Sequence, residues 1–396
     1  MKPVPSRLTM STAHDISTQA ARIIRFMTKV KGVRMILMMF WFPVAMSSRA
    51  LPPLLSVKEM TNHPPKVIRT CCLFGAKVKF AGIPLLNKTD IISPDQLGNH
   101  TFMGGGTEDN GIIYTRNGGF EDTGHMRDCA DWTGYLFSYI NEAQAGNLSK
   151  VLDLGKEGGE KLLALHLQTE LTREKTAELA GAIAYDLSLW HEIATWFGAS
   201  YVPLVPEGYS SFSPEDLYSN LLGTQLGIKA ILSDLPFEEA MDLYTAQILD
   251  ELGAFGTIAE TEAAMRKTES LWWSAQKRLP GKQLLIKRYF DSNEGLRPWL
   301  VPGYETTEAP AVLTKPSEQL DAHFSLSIRL NYKFPVKSLQ TTAEGRQITQ
   351  RDFPAMVRWI EQDAMTLANQ AEQREKPKRE RAEKAQERKA DKEKKS

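Results

Sequence analysis

The sequence predicts an α+β fold, with a helical centre flanked by β-strands and hairpins from the N-terminal and C-terminal parts of the chain. Two observations carry this reading. Apolar residues recur at steps of three and four through the middle of the 396-residue chain, and on either side short runs alternate apolar with polar residues between Gly- and Pro-containing turns. A composition of 42% apolar and 24% charged residues is that of a globular chain able to bury a core.

The elements follow in order. Cys71 to Leu86 alternates around Lys77, Val78, Lys79 and Phe80, which predicts a strand and a turn at Gly82 or Pro84. Residues 111 to 116 read as a second strand, ended by Asn117, Gly118 and Gly119. A helix from His125 to Ile140 places Met126, Ala130, Thr133, Phe137 and Ile140 on one face. Residues 151 to 154 and 161 to 167 flank a Gly-rich turn and form a hairpin. Thr172 caps a long helix reaching Phe197, with Gly198 in the expected terminating position. Ser213, Pro214, Glu215 and Asp216 start another helix, since Ser caps, Pro fits the first turn and acids suit the positive end of the dipole. Two further helices are expected at 237 to 252 and 258 to 278, with Trp272 and Trp273 packing onto the core. Strands at 283 to 290 and 325 to 334 come next, and an amphipathic helix runs from Phe353 to Ala371. The organisation is an N-terminal extension and signal peptide over 1 to 50, one α+β domain over 51 to 371, and a charged tail over 372 to 396 that is a solvated helix or disorder.

The N-terminal region has the order of an export signal. Lys29, Lys31 and Arg34 precede twelve uncharged apolar residues, Met35 to Met46, and then small Ser48 and Ala50. Twelve residues are too few to cross a hydrocarbon core of about 30 Å, so cleavage after Ala50 and a periplasmic or secreted protein without a transmembrane span are expected. Formal charge sums to zero, yet residues 1 to 50 carry +7, residues 372 to 396 carry +4 and the body carries −11. An acidic body offers no broad field to a polyphosphate backbone, which argues against nucleic acid as partner. A small molecule or an envelope component remains. Export leaves two states open for Cys71, Cys72 and Cys129: a disulfide from one of the adjacent pair to Cys129, or three buried thiols.

Two segments concentrate titratable residues on helices. Asp122, His125, Asp128 and Asp131 are spaced by three, so neighbours share one side of a helix that drifts slowly round it. Such a His and Asp can share a metal, or the carboxylate can orient the imidazole for proton transfer. Equally, Asp122 can cap the helix while Arg127 pairs with Asp131. In the second segment His191 falls on the apolar face of Ile183, Ala184, Leu187 and Ala194. A buried imidazole there needs a polar partner, either within the core or in a cluster completed by another helix. Glu192 adjoins it, but Thr195 stands where the zincin motif has its second His, so that motif is incomplete. His100 comes from a loop that could complete a site. No Gly-x-Ser-x-Gly elbow occurs, and Gly104 to Gly106 lacks the ending of a phosphate loop.

Arg69 with Cys71, Cys72 and Gly75, the run from Gly118 to Asp128 with Ala130 to Thr133, and the run from Trp190 to Trp196 resemble the bacterial domain of unknown function 4056 family, over roughly residues 60 to 330. The resemblance implies an exported bacterial protein sharing residues around Cys71, His125 and His191, with no reaction attached. The residues therefore point to an exported cell-envelope protein whose central helices hold a polar site of His125, Asp128, His191 and Glu192. His100, Asp122, His125 and His191 are candidate ligands for a divalent metal, and metal- or His/Glu-assisted hydrolysis is the chemistry that fits. The competing expectation is a non-catalytic envelope protein in which these residues form a buried structural network.

Overall fold

A computed structural model describes residues 55 to 393, apart from 63, 65–68, 70–71, 81–84, 107, 200–206, 291–294, 305–308 and 340–344. The expected export signal, Cys71 and the turn expected at Gly82 or Pro84 lie outside the described residues. In chain order the elements are a short helix α1 (Val57–Asn62), a two-residue hairpin of β1 (Val78–Lys79) and β2 (Asn87–Lys88), and a hairpin of β3 (Ile112–Thr115) and β4 (Gly119–Asp122). Helix α2 (Thr123–Gln144), strands β5 (Val151–Lys156) and β6 (Gly159–Leu165), and helices α3 (Arg173–Trp196), α4 (Asp216–Leu232), α5 (Phe237–Glu251) and α6 (Ile258–Lys267) follow. Strands β7 (Gly295–Leu296), β8 (Leu313–Thr314), β9 (Phe324–Leu330) and β10 (Gln347–Thr349) lead to helix α7 (Phe353–Glu393).

This is a mixed α+β architecture with its helices central and several small antiparallel sheets. The largest sheet has the order β10-β9-β6-β5, so the hairpin from the middle of the chain pairs with a strand from its C-terminal part. Alternation in β6 and β9 buries Leu163, Leu165, Leu326 and Ile328 in the core that Ile183, Trp190 and Ile193 of α3 also enter. A second core gathers Phe74, Val78, Tyr114, Phe120, Trp272 and Trp273, so the paired tryptophans are packing residues as expected. Among the described residues, no helix is long and apolar enough to cross a membrane.

Several expected elements differ, each for a local reason. The helix expected to reach Arg278 ends at Lys267 because the Thr268 hydroxyl and the Trp273 indole N–H both donate to the Met265 carbonyl, at 2.7 and 3.0 Å. Ser270 is left-handed, at φ 66°, as the chain turns back to seat the tryptophans. Residues 283 to 290 form no strand. Their amides and Arg288 bond to turn carbonyls instead, with Ile286 N–H on Trp272 O at 2.7 Å and the Arg288 guanidinium on Lys282 O at 2.8 Å. The strand expected between Cys71 and Leu86 is reduced to β1. Helix α4 starts at Asp216, later than Ser213, whose amide donates to Asp216 Oδ2 at 2.8 Å in the preceding turn. Helix α7 continues well past Ala371.

Two glycines set how closely α4 approaches α2. A Cβ on Gly223 would lie 2.2 Å from the Met126 carbonyl oxygen, and one on Gly227 would lie 2.9 Å from Ala130 Cα. Both obstacles are backbone, which cannot swing aside. Gly223→Ala is therefore expected to push α2 away and to destabilise the fold by about 1–3 kcal/mol, read from the urea midpoint. An unchanged midpoint would contradict the packing.

Candidate functional site

The site is built at the start of α2 and near the end of α3. Asp122 caps α2 by accepting the Gly124 and His125 amides at 2.8 and 3.2 Å, which fixes the first turn and the His125 backbone with it. Thr172 caps α3 as expected, and the helix continues to Trp196 with Gly198 left-handed at φ 84°. Packing of the two helices brings the imidazoles of His125 and His191 to 6.5 Å between ring centroids, with their planes at 68°. One donor atom each from His125, His191 and Glu192 lie within 4.8 Å of one another. Glu192 is buried, whereas His191 is only partly so: the face that reads as core along α3 opens at its end onto a cavity.

Each donor is oriented by a second group. His191 Nδ1 lies 2.7 Å from Glu157 Oε1, and the other oxygen of Glu157 accepts from Lys161 Nζ at 2.7 Å. Burial acts to raise the Glu157 pKa, but Lys161 and His191 together hold it well below the usual carboxylate range. As a carboxylate Glu157 can only accept, so Nδ1 carries a proton, and Nε2 is the nitrogen whose lone pair is available when the ring is neutral. His125 Nδ1 faces two carboxylates, Asp122 Oδ2 at 3.4 Å and Asp216 Oδ1 at 3.3 Å. Glu192 Oε2 accepts the Phe212 amide at 2.7 Å, tying α3 to the turn before α4.

The cavity has a volume of about 780 Å³. His125, Asp128 and His191 form part of its polar lining, while Trp132, Tyr139 and Leu148 are on its apolar part. Asp128 turns towards Arg69, whose Nη1 donates to Asp128 Oδ1 and Asp131 Oδ2, both at 2.8 Å. Burial raises the Asp128 carboxyl to about 7 against the pull of Arg69. Arg69 also grips Glu108 through two bonds of 2.6 and 2.7 Å.

The expected ligands thus divide. His125 and His191 meet, and Glu192 joins them as the third potential ligand. His100 does not: its Nε2 lies 2.9 Å from Asp131 Oδ1, inside the Arg69 network. The three-residue spacing explains this, because the helix rotates Asp131 away from His125. Asp122 touches His125, but both of its oxygens already accept backbone amides, Cys72 N–H at 3.1 Å among them. The Arg127 pairing with Asp131 is not formed; its guanidinium bonds to the carbonyls of Leu97 and Gly98 at 3.0 and 2.9 Å. Cys129 is a buried thiol whose Sγ lies 3.3 Å from Asn220 Oδ1, and it forms no disulfide with Cys72; Cys71, the other expected partner, lies outside the described residues. Burial pushes that thiol up to about 12.

Sequence reasoning missed Glu157, Asp216 and the role of Arg69. Glu157 lies in a Gly-rich hairpin turn and reads as solvated, and Asp216 reads as a favourable first-turn acid. Only Arg69 carried a signal, through its place in the family resemblance.

A family model described as a protein of unknown function (DUF4056) matches residues 59–302, more than half of the chain, and spans all of the residues above. No curated protein and no solved structure matches the chain.

Proposed function

The chain belongs to the DUF4056 family of proteins of unknown function, and we propose that it is an exported hydrolase that holds a divalent metal on His125, His191 and Glu192. The observation that carries the reading is the convergence of two imidazoles and a carboxylate, with the two imidazoles lining a cavity large enough for a small substrate. Two His and one carboxylate are a donor set suited to catalytic zinc, which leaves coordination open for substrate. A metal held there supplies Lewis acidity at the cavity wall. Glu157 fixes the His191 ring, and Asp122 and Asp216 face the outer nitrogen of His125. Asp128, one helical turn from His125 and on the same cavity, is the group placed to give or take a proton.

The test is elemental analysis of the full chain purified without chelator or affinity metal, followed by hydrolysis assays before and after dialysis against EDTA. One equivalent of metal and an EDTA-sensitive activity are expected. Metal-free protein that takes up no zinc on titration would sink the reading. The structural reading has one observation in its favour, the Glu192 bond to Phe212, which would stitch α3 to α4 without any metal.

Export rests on the charge, apolar and small-residue order of Lys29 to Ala50. Protein recovered from outside the cytoplasm is expected to begin at Leu51. Recovery with Met35 to Met46 intact would contradict it.

A further inference from the structure

From the geometry of the sheet we infer that the outer edge of β5 binds an extended peptide segment and leads it to the His125–His191 site. This deepens the hydrolase reading by naming its substrate class, and it rests on the cavity being a substrate site. Strand β5 ends the sheet order β10-β9-β6-β5, and among the described residues no strand pairs with its outer side. All residues from Val151 to Glu157 line the same cavity that His125 and His191 line. Successive side chains of a strand point to opposite faces, so a cavity that meets every one of them runs along the edge of the strand rather than over one face.

The backbone at that edge has a defined pattern. Val151 stands opposite Ala164, and Leu165 N–H donates to Lys150 O at 2.8 Å, which sets the phase of the ladder. Residues 150 and 152 therefore bond to β6, and residues 151 and 153 turn their backbone outward. Two outward-facing amides are met locally: Val151 N–H by Ser149 Oγ at 3.0 Å and Gly155 N–H by Asp153 Oδ1 at 2.8 Å. The Val151 carbonyl and both the N–H and the carbonyl of Asp153 remain directed outward. Their spacing is that of a partner strand. A lipid chain would suit the apolar wall at Trp132, Tyr139 and Leu148, but it has no donors and acceptors to match this edge, whereas an extended peptide has both.

The distance also fits. Asp153 and Glu157 are four residues apart, about 13 Å at strand rise, and Glu157 is bonded to His191. A peptide paired at Asp153 would present the bond about four residues further along to the site, so the substrate is an unstructured segment of at least about six residues.

Binding of fluorescein-labelled, unfolded β-casein to the full chain, measured with EDTA present, tests the edge separately from the metal. Asp153→Pro removes the outward N–H but no bond to β6, as proline on an edge strand allows, and Asp153→Ala controls for the lost side chain. Binding about tenfold weaker in Asp153→Pro than in Asp153→Ala, with metal content unchanged in both, is the expected result. Equal binding by the two variants, or no saturable binding by the wild-type chain, overturns the proposal. Should Asp153→Pro fail to fold, a hexavaline peptide made soluble by terminal lysines replaces it, competing against casein on the wild-type chain beside its analogue with alternate amides N-methylated. Equal competition by both peptides overturns the proposal as well. Loss of metal in His191→Ala with casein binding intact leaves the edge standing, whereas intact metal with no casein binding removes the edge alone.

Discussion

Replacing Arg69 by methionine is expected to destabilise the protein by about 3–5 kcal/mol at neutral pH, a loss large enough to threaten folding altogether. The reason lies in what stays behind. Arg69 is nearly inaccessible, and its five donors are distributed over Glu108, Asp128, Asp131 and the Thr101 carbonyl. Methionine fills much of the volume but leaves buried carboxylates facing one another. Arg127, 4.0 Å from Glu108, compensates only in part. The pH dependence has a definite sign. Burial works to raise the Glu108 pKa, but the Arg69 bonds hold it below its ordinary value, so the stability it contributes is present above the unfolded pKa and is lost as pH falls through the folded one. Without Arg69 that depression disappears and burial favours the protonated acid. The deficit of the variant is therefore greatest at neutral pH and shrinks as pH falls towards and through about 4.5, because the acid protonates in the variant before it does in the wild type. Urea midpoints measured across that range check it, with Lys77→Met as a control. Lys77 is exposed and pairs with Glu262 at 3.3 Å, so the control is expected to stay within about 0.5 kcal/mol of the wild type. Equal penalties for the two variants would refute a buried hub at Arg69.

His191→Ala is expected to abolish high-affinity zinc binding and, with it, hydrolysis, while leaving the fold largely intact. Losing one of the three proposed ligands would exceed the loss of an outer-shell partner, which itself costs about 10–100-fold in metal affinity. Glu157→Gln supplies that lesser effect within the same experiment, because an amide can still accept from Nδ1 but no longer carries the charge. The ordering, with His191→Ala far below Glu157→Gln and Glu157→Gln below wild type, separates a metal centre from a structural network. In a network His191→Ala would lower the melting temperature and metal titration would show nothing to lose. Zinc affinity by competition with a chromophoric chelator, together with thermal unfolding of each variant, reads both quantities.

How much of this was legible in the residues depends on the range of the interaction involved. The turn at Asn117–Gly119, the Thr172 cap, the Gly198 stop and the Asp122 cap are local: one side chain bonding to the backbone within a few residues, or one backbone angle, produces each, so each is written in a short stretch of chain. Helical spacing likewise put His125 and Asp128 on neighbouring positions and His191 on an inward face. The same spacing could not say where that face leads. His191 lines a cavity because α3 outruns the core near its end, and Asp128 looks at Arg69 because a segment 59 residues away happens to lie there. His100 pairs with Asp131 for the same kind of reason. The breaks were hidden too: α6 stops where buried Trp273 reaches back to Met265, and residues 283 to 290 lose their strand to the carbonyls of another turn. The chain by itself thus determined the class of the fold, its capped helices and the helical positions of His125, His191 and Glu192, since those follow from local bonding and periodicity. Only the tertiary structure decided that Glu192, rather than His100 or Asp122, stands with the two imidazoles as a potential ligand, that Glu157 orients His191, and that β5 ends the sheet beside the cavity. These depend on which distant segments become neighbours when the apolar faces are buried, and no spacing along the chain encodes that.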